Sequence, residues 1–279
     1  MTENPSPLGR FERILLATDG SEHSAGAIAI AGEMAKKCGA KLYIVSIALY
    51  SPGTNSLEPT LGIEAERLAM NNVEAARDRL GYGNCETRVL QNTDPARAII
   101  EAAEKLRADV IVMGRRGRRG LVRWKLGHAT ERVVGMAPCP VLVAPRSARM
   151  WRNKILLATD GSRYSDTAAA IAGNIAALCA LPLTAISSTL SSHSPERRQE
   201  AQEAIERVRQ ALSEKGIQVD SWLAEGRPEQ TIIKAAEKAG ADLIVMGSHG
   251  RTGLDKVFMG SVSERVLNQT GCPVLIARS

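Results

Sequence analysis

The residues with the clearest chemical potential lie in the last third of the chain. Gly247-Ser248-His249-Gly250 follows the apolar run Asp242–Met246, and Gly260-Ser261 follows Gly250 after nine intervening residues. Glycines let a backbone approach an anion closely and adopt positive φ. A helix opening at Ser261 offers unsatisfied N–H groups and the positive end of its macrodipole. The Ser261 hydroxyl can donate to a phosphate or help hold a metal. The chemistry that fits is phosphate binding. The pattern is neither a Walker Gly-Lys-Ser/Thr nor a dinucleotide G-x-G-x-x-G. A tight turn followed by a helix cap is the plain structural alternative.

The elements that must position these residues occur twice. Residues 13–20 read RILLATDG and residues 154–161 read KILLATDG, so Asp19 answers Asp160 at an offset of 160 − 19 = 141. Further on, DVIVMG at 109–114 answers DLIVMG at 242–247 at an offset of 242 − 109 = 133. The second offset sets Gly114 on Gly247, Gly117 on Gly250, Gly127 on Gly260 and His128 on Ser261. The drop from 141 to 133 gives the first copy eight extra residues, expected around Tyr50–Asn55. The expected domains are therefore 1–148 and 149–279, with a short join near Arg146–Arg152.

Each copy alternates strand and helix. In the first, strands are expected at Arg13–Thr18, Lys41–Ile47, Glu86–Leu90, Asp109–Met113 and Val141–Ala144. Helices are expected at Ser21–Lys37, Glu58–Leu80, Pro95–Arg107 and Ala129–Met136. Ser21 or Asp19 stands near the first cap, and Pro95 at an early position where a missing N–H costs nothing. Helical spacing in the second helix runs through Leu61, Ala65, Leu68, Val73, Ala76 and Leu80. This alternation predicts an α/β fold: two tandem copies of an open parallel sheet with helices on both faces. In such sheets ligands bind beyond the carboxyl ends of the strands, where both glycine segments lie.

The spacing Gly247-x2-Gly250-x9-Gly260-Ser261, with ATDGS after the first strand and the terminal run GCPVLIA, resembles the universal stress protein family. The resemblance spans nearly the whole chain as two tandem copies. It implies five strands per copy in a Rossmann-like, adenine-nucleotide-binding fold. Some members bind ATP through G-x2-G-x9-G-[S/T] and others bind no nucleotide. Carried over, it implies a site in the second copy at Gly247, Gly250, Gly260 and Ser261, with Asp160 facing the nucleotide and Ser188 meeting the adenine. Thr159, Val262, His249 and Arg251 complete that set. Its implied ligand is ATP, with AMP or ADP as alternatives, carrying Mg2+ held by phosphates with Asp160 or waters. The first copy departs from the motif: it reads Gly114-Arg115-Arg116-Gly117 and then Gly127-His128. An imidazole replaces the small hydroxyl, while Asp19 and Ile47 answer Asp160 and Ser188. A second nucleotide or anion site is the corresponding expectation, and the basic residues nearby suggest a more anionic ligand there. The resemblance also implies pairing of terminal strands, so that one chain imitates a family dimer; a further homodimer is compatible with it.

Composition narrows the alternatives. Of the formal charge of +6, residues 1–149 carry 21 − 16 = +5 and residues 150–279 carry 15 − 14 = +1. Six basic residues crowd one stretch: Arg115, Arg116, Arg118, Arg119, Arg123 and Lys125. A solvated loop explains such a cluster as readily as an anionic partner does. Aromatics are only 3% of the chain, too few for a base-stacking platform, so nucleic acid is not expected. Four scattered histidines and five cysteines without a CxxC pair give no zinc spacing. Reduced, buried cysteines, together with the lack of an apolar leader or membrane-length run, suggest a cytoplasmic protein. No GxSxG elbow or acid–base carboxylate pair appears, so catalysis beyond slow ATP hydrolysis is not expected. The expected function is a nucleotide-dependent regulatory or protective module of the stress response, acting through unknown protein partners. A slow ATPase and a nucleotide-independent scaffold are the alternatives.

Overall fold

The computed structural model describes residues 10–49, 59–115, 126–250 and 259–278. Contacts divide the chain between Met150 and Trp151. The first unit, Phe11–Met150, contains strands β1 (Arg13–Ala17), β2 (Lys41–Leu49), β3 (Cys85–Asn92), β4 (Val110–Gly114) and β5 (Val141–Ala144). Its helices are α1 (Ala25–Cys38), α2 (Pro59–Leu80), α3 (Pro95–Leu106) and α4 (His128–Met136). Its strands lie in the order β3-β2-β1-β4-β5, with parallel pairing throughout. Helices cross between parallel neighbours, as parallel pairing requires.

The second unit repeats this. It has β6 (Ile155–Ala158), α5 (Arg163–Cys179), β7 (Leu183–Thr189), α6 (Pro195–Ser213) and β8 (Val219–Glu225). It continues with α7 (Pro228–Ala239), β9 (Leu243–Gly247), α8 (Ser261–Gln269) and β10 (Val274–Ala277). The order β10-β9-β6-β7-β8 is again parallel. In each unit the chain reverses direction of progress at the first strand: β1 lies between β2 and β4, and β6 between β7 and β9. Crevices at the carboxyl ends of these strands are the switch points of the fold.

The core is aliphatic. Ile14, Leu15 and Leu16 of β1 and Ile155, Leu156 and Leu157 of β6 are fully buried. Burying each such side chain stabilises by roughly 1.5–3 kcal/mol. Every residue of β9 is buried, as expected of a strand covered on both faces. The aspartate that opens each DVIVMG-type run ties the first strand down. Asp109 accepts the backbone N–H groups of Glu12 and Arg13, and Asp242 accepts those of Arg152, Asn153 and Lys154.

Three expectations are corrected. The helix expected over Ser21–Lys37 is broken at its start into a 3-10 turn, Glu22–Ser24, followed by α1. The cause is local. Asp19 accepts from the Ser21 N–H and from the Ser21 and Ser24 hydroxyls, so the serines fold back onto it and do not cap an α-helix. In the second unit Ser162 caps α5 directly, accepting from the Ser165 N–H. Leu61 and Leu68 do not join the core: both are exposed, while Ala69, Val73, Ala76 and Leu80 of α2 are buried. Finally, only Cys139 is buried; the other four cysteines are half-buried, and none forms a disulfide. The expected insertion at Tyr50–Asn55 lies outside the described residues.

Candidate functional site

Each unit has a cavity of about 510 Å³ at the carboxyl ends of its central strands. In the second unit, Thr159 and Asp160 come from the turn after β6, and Ser188 from the end of β7. Gly247 ends β9, His249 and Gly250 come from the turn after it, and Gly260, Ser261 and Val262 from the start of α8. All nine line one cavity. The tenth expected residue, Arg251, lies outside the described residues.

The N-cap of α8 is Gly260, which has no side chain to close the helix end. Ser261 is exposed at the first helical position, and the Ser263 hydroxyl donates to the Gly247 carbonyl at 2.9 Å. The helix start is thus pinned to the end of β9 and open toward the cavity. The Gly260 N–H donates to the Ser248 carbonyl at 2.9 Å, closing the loop between them. His249 is buried: its Nδ1 lies 3.1 Å from the Ser248 hydroxyl, and its ring leans on Tyr164 with centroids 5.1 Å apart. This packing makes His249 a brace for the loop as well as part of the wall.

The glycines work differently from the expectation. Gly114, Gly127, Gly247, Gly250 and Gly260 all lack positive φ; the left-handed glycines here are those of the ATDG turns, Gly20 and Gly161, at φ 70° and 76°. What the loop glycines supply is room. A Cβ on Gly247 would sit 2.8 Å from the Cβ of Tyr164, and one on Gly250 would sit 2.9 Å from Asp160 Oδ2. A Cβ on Gly114 would sit 2.6 Å from the His23 carbonyl oxygen. Gly247 and Gly114 therefore allow the start of each unit's first helical segment, at Tyr164–Ser165 and His23–Ser24, to pass close behind the strand end.

The first unit brings Asp19, Ile47, Gly114, Gly127 and His128 to its cavity. Arg115 is buried and does not line it; its N–H donates to the Ala144 carbonyl. Arg116, Gly117 and the remaining basic cluster lie outside the described residues. The Asp19 carboxyl is held below its ordinary range. Burial works in the opposite direction, and the hydrogen bonds from Ser21 and Ser24 outweigh it.

Sequence reasoning placed a helix at Glu58–Leu80 but missed that this helix, and α6 in the second unit, line the cavities from the side. Leu80 of α2 and Leu212 of α6 occupy equivalent places: a Cβ on Gly32 would meet Leu80, and one on Gly173 would meet Leu212. Counting back along both helices sets Ala65 against Arg197, Leu68 against Glu200 and Asn72 against Ala204. Arg197 lines the second cavity and pairs with Glu200 at 3.2 Å. Ala65, Leu68 and Asn72 line the first. The only available signal was this helix register, and the eight-residue offset change hides it.

The universal stress protein family model matches twice, over residues 10–145 and 152–278. The chain belongs to the universal stress protein family. A universal stress protein of Methanocaldococcus jannaschii is 37% identical over 45% of this chain and 82% of its own length. A universal stress protein of Synechocystis is 26% identical over 96% of this chain and 100% of its own, so tandem organisation recurs in a relative. The crystal structure of an Archaeoglobus fulgidus universal stress protein superposes with a TM-score of 0.75 at 23% identity, covering 96% of this chain and 98% of that one. That likeness concerns the fold of this universal stress protein. Among the described residues, no helix is long and apolar enough to cross a membrane, and no cluster of three or more metal-ligating side chains occurs.

Proposed function

We propose that this universal stress protein binds an adenine nucleotide, ATP with Mg2+, in the cavity of its second unit, and that partner proteins read the bound state. The observation that carries this reading is the gathering of Thr159, Asp160, Ser188, Gly250, Gly260 and Ser261 around one cavity of about 510 Å³. That volume lies in the usual range for small-molecule sites. Ser187 and Ser188 at the end of β7, with the apolar Ile186 and Ile232, suit a base and its polar edge. The first turn of α8, open at Gly260, suits phosphate oxygens. Arg197 adds a positive charge at the wall. Asp160 stands on the same wall and suits a phosphate-held Mg2+. The Ser248 hydroxyl that meets His249 Nδ1 at 3.1 Å is fully buried, which favours reading the bound nucleotide as a signal or stabiliser.

The test is a calorimetric titration of ATP with Mg2+ into the nucleotide-stripped chain. One site per chain is expected. Ser261→His places the first unit's residue in the second unit's site. Because Ser261 is exposed, the fold should tolerate it. Affinity should fall about ten- to a hundredfold, as expected when a hydrogen bond to a charged ligand is lost. Gly260→Val is a poorer probe: a Cβ there sits 3.0 Å from the Ser248 carbonyl oxygen and strains the loop. Absence of binding, or binding that Ser261→His leaves unchanged, would overturn the reading.

A further inference from the structure

We propose that the cavity of the first unit is a site for a small amphiphile, an acyl chain ending in a single carboxylate, and not a second nucleotide site. The argument rests on which polar groups of the other cavity are exchanged, since Thr18, Asp19, Ser24 and Ser46 retain the character of Thr159, Asp160, Ser165 and Ser187. Ser188 at the strand end becomes Ile47. Arg197 on the lining helix becomes Ala65, and its ion-pair partner Glu200 becomes Leu68. These three exchanges remove the groups that would meet a base edge and a polyanion, and put aliphatic surface in their place.

The apolar wall continues to the mouth. Leu49 and Leu68 line the cavity and are 58% and 62% exposed, so an apolar ligand there would remove their surface from water. Deeper in, Ile99 and Met113 keep the wall apolar. Asn72 closes the side over the ATDG turn: its Oδ1 stands where a Cβ of Gly20 would be, and its Nδ2 donates to the Ser46 hydroxyl at 3.3 Å. The counterpart of Asn72 is Ala204, so this closure belongs to the first unit alone.

Among the described residues, polar side chains line the cavity at the strand-end turns, with Thr18, Asp19 and Ser46, and at the start of α4. His128 opens α4, whose N-cap Gly127 has no side chain, and the two line the cavity beside Thr130. Imidazole and first-turn N–H groups suit one compact acceptor such as a carboxylate. Asp19 is held as the carboxylate by Ser21 and Ser24, and Ala65 replaces the arginine that stands with Asp160 in the other cavity, which disfavours a ligand carrying several negative charges. Among the described residues, one charge and a long apolar body is the chemistry left.

The test uses the full chain with decanoate below its micellar concentration, read by calorimetry, with decanol and ATP as companions. One decanoate per chain is expected, with affinity unchanged when ATP is saturating. Leu68→Glu, an exposed position that should fold normally, should weaken decanoate at least about tenfold, since it removes the burial of one leucine side chain. His128→Ala should weaken decanoate and leave decanol unchanged, separating head-group recognition from simple apolar partition. No decanoate binding, displacement by ATP, or indifference to Leu68→Glu would each overturn the proposal. A chain that binds decanoate but not ATP would sink the nucleotide reading of the second unit and leave this one standing; ATP binding without decanoate would do the reverse.

Discussion

The two cavities share a volume of about 510 Å³, a strand framework and a glycine-capped helix at one wall, yet their linings differ in kind. In the second unit the wall offers Ser188, Arg197 and Ser261; in the first the same places hold Ile47, Ala65 and His128. The parts that build the crevice are repeated, including the aspartate ties at Asp109 and Asp242 and the crowded glycines at Gly114 and Gly247. Much of what faces the contents is shared as well, including Thr18 and Thr159, Asp19 and Asp160, Ser46 and Ser187, and Met113 and Met246, and the differences concentrate at the three places just named. A duplicated fold can therefore keep its packing constraints while a few wall positions change the character of each cavity.

The largest expected effect tests that separation. Gly114→Ala and Gly247→Ala should each destabilise their unit by about 1–3 kcal/mol in denaturant unfolding, since the added methyl has no room. Gly114→Ala should cost more, because its methyl meets the backbone carbonyl of His23, whereas in Gly247→Ala it meets the Tyr164 side chain first. A loss of ligand affinity without loss of stability would show that these glycines serve the ligand after all.

A second test transfers chemistry between the units. Ser188→Ile should weaken ATP in the second unit by about tenfold without altering stability beyond about 0.5 kcal/mol. The reverse pair in the first unit, Ile47→Ser with His128→Ser, should weaken decanoate and begin to admit ATP as a second calorimetric site. A double variant that still binds decanoate at full strength would mean that the wall exchanges do not set ligand class.

A smaller effect concerns the corner that holds α4. Asp94 caps α3, accepting from the Ala96 and Arg97 N–H groups, and pairs with Arg132 of α4 at 2.6 Å. In the second unit the cap position is Arg227, with no side-chain cap, and the equivalent arginine, Arg265, pairs with Glu229 at 3.7 Å. Asp94→Ala should cost about 1 kcal/mol through the cap alone. The Asp94 carboxyl lies below its ordinary range: burial opposes this, and the bonds from Arg132 and Arg97 prevail. A depressed carboxyl contributes stability that is complete above its unfolded value, near pH 4, and lost as pH falls through its folded value. Amide exchange in the first turn of α3 should therefore accelerate below about pH 4, and Asp94→Ala should abolish that acceleration. The smallest effect is Asp19→Asn, which should flatten the acid side of the first unit's stability curve for the same reason, since its depressed carboxyl also loses its contribution in acid.

Much of this was legible in the residues. RILLATDG and KILLATDG reveal the duplication, and the apolar runs at 109–114 and 242–247 reveal central buried strands. Proline at 95 marks a helix start that the structure bears out, and Pro228 opens the matching helix of the second unit. The helix start at Ser21 was not legible. Whether a serine caps a helix or folds back onto an aspartate depends on competing local hydrogen bonds that a cap motif does not rank. The outward face of Leu61 and Leu68 was equally hidden. Helical spacing says that residues share a face, but not whether that face meets the sheet or a cavity mouth.

The sequence alone determined the α/β class, the repeat, the family and the residues of the glycine motif, because strand and helix periodicity and motif spacing are local quantities along the chain. Only the tertiary structure decided that the motif glycines relieve crowding, that Arg197 and Ala65 stand at matched places in the two walls, and that Arg115 is buried without lining its cavity. Those facts depend on which surfaces meet across the fold. Distance along the chain carries no record of that once an insertion of eight residues shifts one copy against the other.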